Sequence, residues 1–263
     1  MDLGIRGKVA LVSAASKGLG RAVAEELAAE GARLVLCARG AEALEATAGG
    51  IRKHSDAEVH AVIADVSTME GIERVAREAL ERFGRVDVLV NNAGGPAPGP
   101  FEQHRWDAWE KAVELTLRSA VELTRFVLPG MRERRWGRVI NITSIAVKQP
   151  VDGLMLSNAV RSAVTGWART LANEVARDGI TVNNVLPGYT RTDRVAQLNA
   201  ATASREGLDV AEIERRIEAQ IPMRRLGEPR EFGAMVAFLA SERASYVTAQ
   251  SIAVDGGWIR SLL

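Results

Sequence analysis

The 263-residue chain reads as an α/β protein: a doubly wound, parallel, seven-stranded sheet in a single domain spanning 1–263. Three observations predict this. Short apolar runs alternate with stretches of helical periodicity almost from end to end. The strand runs are continuously apolar, as strands covered by helices on both faces must be. The first run enters its helix through a glycine turn, and right-handed crossovers then wind the chain onto both faces.

The opening unit is Lys8-Val9-Ala10-Leu11-Val12-Ser13-Ala14-Ala15-Ser16-Lys17-Gly18-Leu19-Gly20. Val9, Leu11 and Val12 make a buried strand. Gly18 and Gly20 let the backbone turn sharply and lie close to a bound group. Leu19, Val23 and Leu27 then share one helical face, Arg21, Glu25, Glu26 and Glu30 take the other, and Gly31 supplies the stop. Such a turn aims free N–H groups and a helix dipole at one point, which suits a phosphate.

The pattern continues with a strand at 33–38, a helix at 41–53 with Leu44 and Ile51 inward, and a strand at 59–66. A helix at 69–83 puts Ile72, Val75, Ala76, Ala79, Leu80 and Phe83 on one face. After a strand at 86–92, residues 94–100 are too rich in Gly and Pro for a regular element. A helical region follows to about residue 134, with interruptions expected near 106–109 and at Pro129. A strand at 138–144, a helix at 157–177 and strands at 180–186 and 251–254 complete the sheet. The polar, mostly helical segment 193–223 reads as a lid at the ligand rim.

Bulk properties exclude some functions. Net charge is a balanced +1, against the basic excess that nucleic acid demands. The basic run Arg132, Arg134, Arg135 and Arg138 reads as a solvated helix end. One cysteine, Cys37, permits no internal disulfide and points to a reducing compartment. No signal-peptide pattern opens the chain, no apolar run approaches the ~18 residues of a membrane span, and a cytoplasmic protein is expected. His54, His60 and His104 belong to no metal-ligating pattern, so no metal is expected.

Ligands of doubly wound sheets bind outside the carboxyl ends of the strands, where strand order reverses. The groups just past those ends are 13–20, Arg39, Asp65, 91–95, Ser144 and 187–192.

These groups carry a resemblance. Ser13-Ala14-x3-Gly18-Leu19-Gly20 resembles the Thr-Gly-x3-Gly-x-Gly of the short-chain dehydrogenase/reductase family. Asp65-Val66, Asn91-Asn92-Ala93-Gly94, Pro187-Gly188 with Thr192, Ile221-Pro222-x3-Leu226-Gly227-x-Pro229 and Asp255-Gly256-Gly257 match its other motifs, in order and over nearly the whole chain. The chain looks most like the ketoacyl-reductase branch. The resemblance implies a Rossmann fold, hydride transfer between a nicotinamide cofactor and a carbonyl or alcohol, and a homotetramer or homodimer. Trp258, Ile259, Leu262 and Leu263 are apolar residues that a partner subunit would cover.

It also implies a cofactor site made of Ser13, Ser16, Lys17, Gly18, Leu19 and Gly20 in the turn, Asp65 and Val66 at the adenine, Asn92, Ala93 and Gly94, and Arg161, Pro187, Gly188 and Thr192 on the nicotinamide side. An acidic residue about 20 positions after the turn would select NAD. Here Arg39 stands in that region, with Lys17 in the turn, and an Arg suits a 2′-phosphate. NADP is therefore favoured, with NAD still possible.

The family tetrad of Asn, Ser, Tyr and Lys is altered. Ser144 is present, but the other positions hold Thr116, Ser157 and Arg161. The only tyrosines, Tyr189 and Tyr246, are not followed by Lys four residues on. The family's phenol donates a proton, with a pKa lowered from about 10 by the Lys charge. Ser is a far weaker acid, and lost general acid catalysis costs about 10²–10⁴-fold. Tyr189 and Lys148 are the candidate substitutes. Two functions are thus open: an oxidoreductase with altered acid–base residues, or a non-catalytic NADP-binding or scaffold protein.

Overall fold

The computed structural model describes residues 2–262. Seven parallel strands, β1 (Val9–Val12), β2 (Arg33–Ala38), β3 (Val59–Ile63), β4 (Val88–Asn91), β5 (Gly137–Ile142), β6 (Ile180–Pro187) and β7 (Ser251–Val254), stand in the order β3-β2-β1-β4-β5-β6-β7. Within β1 successive side chains go to opposite faces. Ala10 and Val12 pack with Val23 and Leu27 of α1 (Gly18–Ala29), Leu44 of α2 (Ala41–His54) and Phe232 of α9 (Pro229–Ala240). Val9 and Leu11 pack with Ile72 of α3 (Met69–Phe83), Leu123 of α5 (Ser119–Glu133) and Leu171 of α6 (Met155–Val175). This is the doubly wound sheet the apolar runs predict.

Strand order reverses between β1 and β4, and their ends are stapled by one hydroxyl. Ser13 Oγ donates to Asn92 O (2.7 Å) and accepts from Asn92 N (2.9 Å). A polar ladder crosses the next strands at matched register: Asn91 Nδ2 donates to Asn141 Oδ1 (2.9 Å), Asn141 Nδ2 to Asn184 Oδ1 (3.0 Å), and Asn184 Nδ2 to Ser251 Oγ (3.1 Å). Paired this way, buried amides fix the register without the penalty of unmet donors.

Several local expectations are corrected. β3 stops at Ile63, because Asp65 turns the chain by accepting from Ser67 N at 2.9 Å. The helical region is not broken at Pro129, which lies inside α5. Pro129 and Arg125, one turn earlier, are exposed, so water can meet the carbonyl that the ring leaves unbonded. The irregularity is a π-turn at Glu114–Arg118, after α4 (Trp106–Val113), which starts where an interruption was expected. Leu80, assigned to the buried face of α3, is 41% exposed.

Arg138 is not on a solvated helix end but inside β5, 2% exposed. Its guanidinium stacks on Trp136 (4.3 Å), donates to Ser241 O (3.1 Å) and pairs with Glu242 (3.7 Å). Ser241 and Glu242 come from far along the chain and, with the neighbouring Trp136, replace water. The segment after β6 folds into α7 (Asp193–Glu206) and α8 (Val210–Gln220), which bury little beyond Ala203 and Ile213. Leu262 is exposed and Trp258 buried, while Leu263 lies outside the described residues.

Candidate active site

One cavity of about 740 Å³ runs along the carboxyl ends of the strands. Its first end is the mouth of α1. No side chain caps this helix, so its first-turn N–H groups remain for a ligand. The backbone here is tightly set. A Cβ on Gly20 would strike the carbonyl oxygen of Ala14 and stand 2.7 Å from Asn92 Nδ2. Ala14 itself takes φ 48°, the left-handed region that favours glycine. The alanine found where the family motif has glycine is therefore accommodated at the cost of strain.

Lys17 and Arg39 line this end, each exposed and each with a carboxylate partner: Lys17 Nζ to Asp193 (3.3 Å) and Arg39 to Asp65 (3.7 Å). Such pairs hold weakly and leave both cations open to a phosphate. Partial burial works against the Asp65 carboxylate, but the Ser67 N–H and hydroxyl and the Arg39 charge outweigh it and hold its pKa low.

The second end lies beyond β4. Ser144 follows β5 and caps the short helix Ile145–Val147, its Oγ accepting from Ala146 N at 3.1 Å. That contact leaves the hydroxyl proton to donate into the cavity. Ser157 and Arg161 stand one turn apart on α6, 8% and 7% exposed. Arg161 Nη1 donates to the carbonyls of Ile142 (2.8 Å) and Thr143 (2.9 Å). Burial, then the charge of Arg194, push its pKa down to about 10, so it remains a cation at neutral pH.

Of the residues read from the sequence, Ser16, Lys17, Gly18, Leu19, Arg39, Asp65, Val66, Asn92, Ala93, Gly94, Ser144, Ser157, Arg161, Pro187, Gly188 and Thr192 all line this cavity. Three do not. Ser13 is 1% exposed, its hydroxyl taken up by the β1–β4 staple. Gly20 acts beneath the turn by being small. Thr116, in the π-turn, lines a separate small void behind Arg161, and its buried hydroxyl meets no hydrogen-bond partner. Lys148 is exposed and off the cavity wall.

Tyr189 does line the cavity, edge-on to Trp258. Burial and then Asp152 push its phenol up, opposite to the shift an activated acid needs. Arg194, which sequence reasoning passed over, also lines the cavity. Its only signal was its place two residues after Thr192.

The match to known proteins extends over this whole framework. A family model described as enoyl-(acyl carrier protein) reductase covers residues 13–259. The chain belongs to the short-chain dehydrogenase/reductase family. Among its relatives, the 3-oxoacyl-[acyl-carrier-protein] reductase FabG of Vibrio cholerae is 36% identical over 257 residues, 97% of this chain and 98% of that protein. L-sorbose reductase from Gluconobacter frateurii, solved with NADPH and L-sorbose, superposes with a TM-score of 0.95 at 35% identity, covering 100% of each chain. Actinorhodin polyketide ketoreductase, solved with NADPH, superposes at 0.92 with 37% identity, covering 97% of this chain and 98% of the other. The chain is thus an oxidoreductase-family protein resembling NADPH-linked carbonyl reductases, and no helix among the described residues is long and apolar enough to cross a membrane.

Proposed function

We propose that this chain transfers a hydride between NADP(H) and a small carbonyl or alcohol, as a 3-oxoacyl-reductase-like enzyme with altered acid–base residues. The observation that carries this reading is the single cavity joining the two ends. Uncapped helix N–H groups, Lys17 and Arg39 stand at one end, and Ser144, Ser157 and Arg161 at the other. The residues present fit a dinucleotide, because the uncapped first turn of α1 opens onto the cavity at Gly18 and the two cations suit a 2′-phosphate.

The cofactor supplies the hydride when bound; this chain's residues orient and stabilise. Ser144 donates a hydrogen bond from its hydroxyl to the carbonyl oxygen, and the proton that completes the alcohol comes from solvent water. Arg161 places a buried positive charge where the alkoxide develops. Ser157 offers a hydroxyl but no acidity near neutrality. Turnover is therefore slower than with an activated phenol by about 10²–10⁴-fold. The segment 193–223 serves as the lid, its first residue Asp193 tied to the turn through Lys17. The working form is a homotetramer or homodimer in the cytoplasm, a reducing compartment that suits a chain whose one cysteine, Cys37, is buried and free.

The test is a fluorescence titration with NADPH and NADH, followed by turnover assays on ketones and 3-oxoacyl thioesters. Tighter binding of NADPH with slow reduction is expected. Binding with no turnover at all would instead identify a non-catalytic NADP-binding protein, and failure to bind either dinucleotide would overturn both readings.

A further inference from the structure

The charges lining the cavity do not balance. Its wall carries four cations, Lys17, Arg39, Arg161 and Arg194, against two carboxylates, Asp65 and Asp193. The carboxylates are engaged by Arg39 and Lys17 at the cofactor end. Among the described residues, no carboxylate pairs with Arg161 or Arg194.

These two guanidinium groups are also short of acceptors. A guanidinium has five N–H donors in a fixed fork. Arg161 places Nη1 on two backbone carbonyls, and its remaining nitrogens meet no protein acceptor yet are not sealed off. Arg194 Nη2 donates to Pro96 O at 2.7 Å, and the rest of its fork is unbonded. A buried cation without a counter-charge is costly, and proteins ordinarily pair it.

Both stand across the switch point from Arg39, on the nicotinamide side of the cavity. Arg161 and Arg194 follow β5 and β6, whereas Arg39 and Asp65 follow β2 and β3, on the opposite side of the switch point. Arg194 lies against Gly95, where a Cβ would stand 2.7 Å from its Nη2. The 94–100 loop that holds it is tied to the segment just before α6 through Gly99 N to Gly153 O, 2.6 Å, and its Gly94 and Gly95 line the cavity.

We propose that the substrate is an acid: a small oxo acid, or the matching hydroxy acid, whose free carboxylate sits between Arg161 and Arg194. The planar forks suit a carboxylate in two-point contact, and the electrostatic gain is large because Arg161 is withdrawn from water. The inference deepens the reductase reading and rests on it. It separates this site from one built for a neutral ketone or thioester, which would bring no carboxylate to the two guanidiniums.

The test uses the full chain saturated with NADP⁺, so that no reduction occurs, and calorimetric titration with 3-oxobutanoate, phenylpyruvate and their neutral esters. Each acid is expected to bind at least tenfold more tightly than its ester. Arg194→Met should remove most of that preference, and Arg194→Lys should restore part of it. NADPH affinity, followed by fluorescence on the same proteins, should change little. Esters that bind as tightly as the acids, or an unchanged preference in Arg194→Met, would overturn the inference and leave the reductase reading intact. Loss of dinucleotide binding by the unaltered chain is read separately, and would remove the foundation of both.

Discussion

The two ends of the cavity are built by different rules. At the cofactor end the backbone does the work: an uncapped helix, a glycine under a carbonyl oxygen and a hydroxyl staple between β1 and β4. Its side-chain charges are exposed and paired, so they tune rather than create the site. At the other end the side chains do the work. Ser144, Ser157 and Arg161 line the wall, joined by a second guanidinium, Arg194, from α7. A binding site made of backbone tolerates little variation, whereas one made of side chains can change its chemistry while the fold stands.

The largest expected effect breaks the backbone end. Gly20→Ala forces a methyl group onto the carbonyl oxygen of Ala14 and the amide of Asn92. Overpacking against backbone of this kind costs about 3 kcal/mol. If most of that falls on the turn, NADPH affinity drops by about 100-fold, measured by fluorescence, with a lower urea midpoint. Unchanged affinity would show that the turn is not the phosphate site.

The cofactor end was legible in the sequence because its determinants are local. Gly18, Gly20 and the apolar strand before them lie within thirteen consecutive residues, and their meaning needs no tertiary contact. The substrate end was legible only by alignment to the family motifs, which placed Ser144, Ser157 and Arg161 on the cavity wall. Arg194 was not legible, since its place on the cavity wall depends on where α7 lies in the fold. Arg138 failed for the same reason in reverse. Its charged sequence neighbours suggested a helix end, but Ser241 and Glu242, far along the chain, enclose it. Pro129 shows a local rule overridden by exposure, and Leu80 shows an amphipathic face drawn one residue too wide.

The next effect sharpens the substrate end. Ser157→Tyr combined with Arg161→Lys restores the phenol and amine one helical turn apart. A rise in kcat of about 10²-fold is expected on neutral ketones, within the range of general acid catalysis. Because reduction needs the protonated phenol, the rate of the double variant should fall as pH rises through the lowered tyrosine pKa. The parent protein, with Arg161 at about 10 and no activated acid, should lack that limb near neutrality. A double variant with the parent's rate and pH profile would show that α6 does not face the reacting carbonyl.

The smallest effect tests whether the cofactor end is strained. Ala14 holds φ 48° with its side chain partly exposed, so its methyl group contributes little burial to offset the left-handed backbone. Ala14→Gly relieves about 1–2 kcal/mol of that strain and gives back about 0.5–1 kcal/mol in unfolded-state entropy. A net gain of about 0.5–1 kcal/mol in urea-denaturation stability is expected. If the relaxed turn also sits closer to the diphosphate, NADPH affinity rises about two- to fivefold. A gain in stability without a gain in affinity would mean that the strained carbonyl of Ala14 is already where the cofactor needs it, held by the contact with Asn92 Nδ2 at 3.3 Å. A loss of stability would mean that this contact, and not the identity of residue 14, sets the shape of the turn.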